Sequence, residues 1–171
     1  MHSTGSFRAM RSSIHSISVL RFLSARRRFE LFPPYFLMRV KVLALNEDWS
    51  STRIRLPLNW VSANAAGNMF GGYQASLADP VPALACLKRF PGYRVATKKL
   101  EIDFIRVGSS DLVLHFDFDE AMAGQIAAEL AESGKSTPCF KMHYVRSDGK
   151  ICTQIKNTVA IRPKGYVSHH E

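Results

Sequence analysis

The 171-residue chain has no apolar run near the roughly 18 residues that a membrane-spanning helix needs. It also lacks a G-x-S-x-G string, a Walker loop and a G-x-G-x-x-G turn. A serine-hydrolase elbow, a nucleotide-phosphate cradle and a dinucleotide fingerprint therefore have no footing. Cysteine is scarce. Cys86, Cys139 and Cys152 are odd in number, far apart and without C-x-x-C spacing, which argues against a disulfide framework or a zinc site and for a reducing compartment. His115 and His143 have no H-x-x-x-H company, and His169 and His170 fall in the last few residues, so no metal role is expected of any of them. No cofactor is expected. There are no internal repeats and no low-complexity tract.

Acids are nearly missing from the first part of the chain. The formal net charge is +9, but the first 41 residues hold eight Lys/Arg against Glu30 alone, a balance of +7. The other 130 are close to neutral at +2, so the basicity does not describe a nucleic-acid-binding body, and no nucleic-acid partner is expected. Three readings of the beginning stay open. Its Arg and Ser content suits a mitochondrial transit peptide. It could equally be a basic amphipathic helix touching membrane or RNA, or an upstream extension with Met10 or Met38 as a later start. Residues 1–25 are read as a basic leader, 26–164 as one domain and 165–171 as a tail. A cytoplasmic protein is expected, or a mitochondrial-matrix one if the leader is a transit peptide. From about Val19 a surface helix should run to a stop at Pro33-Pro34.

What is present is a regular alternation. Val40, Val42 and Ala44 alternate with Arg39 and Lys41, and Ile54, Leu56 and Leu58 with Arg53 and Arg55, as half-buried strands do. Residues 69–90 form a long apolar element with almost no polar face before Lys88, so it should be buried on most sides. Leu100, Ile102 and Phe104, then Leu112, Leu114, Phe116 and Phe118, resume the two-residue period. Asp119 should cap a helix carrying Met122, Ile126 and Leu130 and ended by Gly134. Phe140, Met142 and Tyr144 make a further strand, a turn at Ser147-Asp148-Gly149-Lys150 follows, and Ile151, Ile155, Val159 and Ile161 make the last. Hairpin-length links predict an antiparallel sheet with one wet face. The class is α+β, a curved sheet wrapped around one apolar helix.

The chemistry-bearing stretch is 64–80, NAAGNMFGGYQASLADP. It places Gly71-Gly72 at the start of the apolar helix, with a lone acid, Asp79, seven residues past the second glycine. A helix start offers unpaired N–H groups and a partial positive end, suited to a carbonyl becoming an oxyanion. A glycine there lets a ligand approach the backbone closely. Asn64 adds an amide and Asp79 a carboxylate. Those are the parts of an acyl-transfer or hydrolysis site, although Gly-Gly can also be helix punctuation and Asp79 a solvated cap.

The arrangement resembles the hotdog superfamily over about Arg26 to Lys164. The pattern N-x-x-G-x-x-[HF]-G-G with an acid further on is similar to the phenylacetyl-CoA-type acyl-CoA thioesterases. The strings FGGYQASLADP and ATKKLEIDFIRVG look closer still to an uncharacterised thioesterase-like branch. The resemblance implies hydrolysis of acyl-CoA, with Asp79 as general base or nucleophile, the Gly71 N–H polarising the thioester carbonyl, Asn64 holding carbonyl or water, and Thr97 assisting the water. It places Phe70 and Gly72 against the substrate. CoA carries phosphates, so Arg94, Lys98, Lys99, Arg106 and Lys164 are candidate rim contacts, with a solvated surface charge as the other reading of each. The resemblance also implies a homodimer, or a dimer of dimers, with Asp79 of one chain facing Gly71 of the other. Two departures carry physical consequences. Phe70 stands where many relatives have His, so no imidazole acts there. Pro80 and Pro82 follow the acid, and proline pushes its predecessor out of helical geometry and kinks a helix. A non-catalytic acyl-CoA or fatty-acid binding module is the alternative that these departures favour.

Overall fold

Why the chain wraps as it does is visible in the inward row of each strand. The computed structural model describes residues 23–166. The leader up to residue 22, with the helix onset near Val19, lies outside the described residues, as do His169 and His170. The described chain runs α1 (Ala25–Glu30), α2 (Pro33–Leu37), β1 (Lys41–Leu45), β2 (Ser51–Leu56), α3 (Gly71–Ala78), α4 (Pro80–Arg89), β3 (Tyr93–Phe104), β4 (Leu112–Asp117), α5 (Glu120–Ser133), β5 (Cys139–Arg146) and β6 (Ile151–Pro163). The strands form one sheet in the order β1-β2-β4-β5-β6-β3, antiparallel at every pairing.

Ile54, Leu56, Leu112, Leu114, Phe116, Tyr144, Ile155, Val159 and Ile161 turn inward and are buried, as alternation requires. They close over Leu77 of α3 and Val81, Ala85 and Cys86 of α4. The caps of α5 are those expected: Asp119 Oδ1 accepts from Met122 N–H at 2.7 Å, and Gly134 ends the helix at φ +69°.

Several expectations need correcting. The first helix ends at Glu30, ahead of Pro33-Pro34, but those prolines also start a second one, because a proline at the first helical position gives up only an N–H that would be unpaired anyway. The apolar element 69–90 is two helices meeting at Asp79, not one. Nor is it covered on most sides, since Leu87 is 43% exposed. A bulge between Val42 and Ala44 shifts the phase of β1, so Ala44 points outward. Phe104 is exposed rather than in the core. The links are not all hairpins either. β3 and β4, joined by residues 105–111, are not neighbours, and among the described residues β3 lies at the sheet edge with β6 as its single partner.

Candidate functional site

The start of α3 is shaped by two phenyl rings. Phe70 takes the cap position with extended geometry, and its carbonyl accepts from Tyr73 N–H at 3.1 Å and Gln74 N–H at 3.4 Å. The N–H groups of Gly71 and Gly72 find no protein acceptor among the described residues, as the first turn of a helix predicts. The Phe70 N–H donates to Ser62 O, and Met69 N–H donates to Gly108 O, each at 2.8 Å, which pins the entry loop. A Cβ on Gly71 would stand 2.9 Å from Phe104 Cζ, and one on Gly72 would stand 2.5 Å from Phe70 Cε1. In a single chain, then, the close approach that the glycines permit is taken up by these two rings.

Asn64 folds its own loop. Its Oδ1 accepts from Ala66 N–H at 2.9 Å and Asn68 N–H at 3.1 Å, while its backbone bonds Asn68 at 2.7 Å. That is an Asx turn, the local use to which asparagine is suited. Asn64, Gly71 and Arg106 line one cleft of about 440 Å³ together with Gln74 and Phe104. Arg106 is anchored there by its guanidinium, which donates to Ile151 O at 2.8 Å. Phe70 and Gly72 lie beside this cleft, and Lys98 sits on the exposed side of β3, where the pairing with β6 shifts register.

Asp79 stands elsewhere. It closes α3, eight residues after Gly71, a separation of about 12 Å along the axis. Its carboxylate is exposed in the single chain. Against expectation, the residue before Pro80 keeps helical geometry, at φ −54° and ψ −55°. The physical reason is a set of substitute donors. Pro80 and Pro82 lack the N–H groups that would reach Ser76 O and Ala78 O. The Tyr35 hydroxyl donates to Ser76 O instead, and Asn157 Nδ2 to Ala78 O, each at 3.4 Å. Asn157 Nδ2 also donates to Asp79 O at 2.8 Å, and Thr97 Oγ1 donates to the same oxygen at 3.0 Å. Thr97 thus touches Asp79 through the backbone. Burial, followed by the Asp79 charge, pushes the Tyr35 phenol up to about 12.

Sequence reasoning missed Tyr35, Asn157, Gln74, Tyr144 and Thr153. Gln74 is buried on α3, where its Oε1 accepts from Thr153 Oγ1 at 2.6 Å and its carbonyl from the Tyr144 hydroxyl at 2.9 Å. The signal was parity. Thr153 and Asn157 are polar residues in the inward row of Ile155, Val159 and Ile161, and a polar side chain there must find a partner. Register also joined what spacing kept apart. His115 on β4 faces His143 on β5, their rings stacked at 5.1 Å on the outer sheet face. Among the described residues no group of three His, Cys, Asp or Glu side chains forms a metal site.

A long antiparallel sheet curved over the helical segment, here α3 and α4, is the hotdog fold, and the chain has that fold. No model of a known protein family matches it, and neither does any curated protein. Solved structures do. A Pseudomonas aeruginosa protein of unknown function, whose suggested class is thioesterase, has a TM-score of 0.72 and 20% identity over 81% of this chain and 93% of that one. A Haemophilus influenzae thioesterase has a TM-score of 0.61 and 13% identity over 84% and 91%. The PaaI protein of Escherichia coli, from the phenylacetic acid degradation operon, has a TM-score of 0.60 and 18% identity over 84% and 94%. No helix among the described residues is long and apolar enough to cross a membrane.

Proposed function

We propose that the chain hydrolyses acyl-CoA thioesters to free acid and CoA, working as a homodimer or a dimer of dimers. The observation that carries this is the placement of the two reactive groups. An unpartnered N–H at Gly71 opens onto a cleft, while the Asp79 carboxylate lies about 12 Å away along the helix, too far to serve the same carbonyl. A second copy brings them together. β3 offers twelve residues of unpaired strand edge, and edges of that length are ordinarily paired or covered. Thr97 ties Asp79 to that edge. Two β3 strands joined about a two-fold axis would bring each Asp79 toward the partner's α3 and give it the cover that a single chain does not.

The chemistry needs little more. A thioester is already activated. Asp79 takes the proton of a water, the water oxygen attacks the carbonyl carbon, and the oxyanion is held by the Gly71 N–H with the Asn64 amide nearby. Collapse then expels the CoA thiolate. Lys98 and Arg106 meet the CoA phosphates. Asp79→Asn and Asp79→Ala should each lower kcat for a panel of acyl-CoAs by about 100- to 10,000-fold. Parent-like rates in both variants would exclude the role.

The second reading is a non-catalytic acyl-CoA or fatty-acid binding module, favoured by the Phe104 ring lying against Gly71. It predicts saturable binding of acyl-CoA without turnover at any chain length.

A further inference from the structure

Beside α4 lies a second hollow, of about 580 Å³, separate from the cleft at Gly71. Its walls are Phe32 and Tyr35 from the N-terminal helical pair, Trp49 from the β1–β2 turn, and Leu84 and Leu87 from α4. Pro80, next to Asp79, lines it as well. The charged groups Arg28, Glu47 and Lys88 also border it. The volume is that of a small-molecule site. The walls are apolar yet open to solvent, with Phe32 51% and Leu87 43% exposed, and continuous apolar surface of that kind marks a binding place. The backbone adds a second observation. Trp49 is held at φ +63°, a left-handed conformation costly for so bulky a residue, with its ring against Phe29 at 5.9 Å. Strain of this sort persists where the surroundings impose it and clusters at ligand sites.

We propose that this hollow receives the acyl tail of the thioester, an unbranched chain of medium length, with its carboxyl end toward Asp79. The inference rests on the thioester reading above and names its substrate class. Pro80, the residue after Asp79, lines the hollow, and so does Tyr35, whose hydroxyl donates to Ser76 O, three residues before Asp79. From Pro80 to Lys88 is eight residues, about 12 Å of helix, and carbon–carbon bonds of about 1.5 Å in a zigzag fill that span with on the order of ten carbons. Each methylene buried should tighten binding about fourfold.

The test uses the full chain carrying Trp60→Phe. Trp60 is 83% exposed, and its removal leaves Trp49 as the single tryptophan. 10-Bromodecanoate should quench Trp49 emission saturably, because bromine quenches an indole it touches. 4-Bromobutanoate, six methylenes shorter, should bind more weakly by on the order of a thousandfold or more. Leu87→Glu, at an exposed position, should weaken the longer probe by about tenfold or more while the thermal midpoint holds. Absence of saturable quenching would overturn the proposal, as would equal midpoints for the two probes. Loss of the assembled species in Leu87→Glu on sedimentation, with no quenching in the parent, would assign the hollow to a second copy and overturn it too. Acyl-CoA hydrolysis that depends on Asp79 without quenching removes the hollow alone. Quenching without any hydrolysis supports the hollow and removes the thioesterase reading.

Discussion

Asn157 Nδ2 donates to the backbone carbonyl of Asp79 at 2.8 Å, reaching from β6 to the one helical residue that stands between two interrupted turns. Its neighbour bond to Ala78 O replaces a donor that Pro82 lacks, and the Tyr35 hydroxyl at Ser76 O does the same for Pro80. A helix broken by prolines would ordinarily bend away from the sheet. Here three side chains from three different elements, Tyr35, Thr97 and Asn157, hold its exposed carbonyls, and the carboxylate of Asp79 inherits a fixed origin. Asn157 itself is fully buried, and its Oδ1 has no partner among the described residues, so the side chain is retained at a cost.

If this bracing positions the carboxylate, Asn157→Leu and Thr97→Val should lower kcat by about ten- to a hundredfold with KM little changed, since displacing a catalytic group by about 1 Å costs rates of that order. Thr97→Ser keeps the hydroxyl and should restore most of the rate. A purely structural role would lower the thermal midpoint in all three variants without separating Ser from Val in kcat. Steady-state kinetics beside thermal melts decides between the two.

The two-residue period of the strands was legible, because one wet face and one buried face leave alternation as a direct record. The inward rows on β2, β4, β5 and β6 follow it. What alternation could not show was phase after a bulge, hence Ala44, or exposure at a sheet edge, hence Phe104. Helix breaks were half legible. Pro80 and Pro82 announced an interruption, but the continued helical geometry of Asp79 depends on Asn157, 78 residues away, and Tyr35, which no local pattern connects. The site followed the same division. Asn64, Gly71 and Arg106 meet in one cleft from a loop, a helix start and a strand end, whereas Asp79 is kept from Gly71 by the length of the helix that carries both.

Gly71 and Phe104 offer a test of why glycine occupies the helix start. Gly71 has ordinary helical geometry, so Ala there would on backbone grounds gain about 0.4–1 kcal/mol. The Phe104 ring opposes this, with its Cζ 2.9 Å from where the new methyl would lie. Phe104 is 52% exposed and the atom met is the far end of its ring, so the ring can swing aside, and Gly71→Ala should gain less in the parent than in a Phe104→Ala background. A double-mutant cycle on chemical unfolding measures the coupling. Equal effects in both backgrounds would free Gly71 from any packing reason.

Glu30, the one acid of the first 41 residues, ties α1 to the sheet. Its Oε1 accepts from Val42 N–H at 3.0 Å, and Arg26, Arg27 and Lys41 lie within 3.7 Å of its carboxylate. Burial alone would push the carboxyl up. The Val42 N–H and the three cations outweigh it and hold the group below its ordinary value. Glu30→Ala leaves a buried N–H unpaired and should destabilise by about 1–3 kcal/mol. Because α1 supports Phe29 and the apolar hollow, Trp49 emission should shift to the red in the same variant, and unchanged emission would show the helix still docked.

The stacked His115 and His143 set a pH dependence with a definite sign. Burial first, then the Arg53 charge, holds both imidazoles below their ordinary value, and Asp117 opposes this only in part. Arg53 is paired with Asp117 at 2.8 Å and donates to Phe116 O at 2.9 Å, which keeps its charge beside the rings. A depressed histidine is neutral in the fold while the unfolded chain takes up protons near pH 6.5. The unfolded state then binds more protons, and stability is full above about pH 6.5 and falls as pH drops toward the folded values. Thermal midpoints should therefore decline between about pH 7.5 and about pH 5.5. The decline should flatten in His115→Gln/His143→Gln, and a parent slope surviving in that double variant would assign the acid sensitivity to other groups.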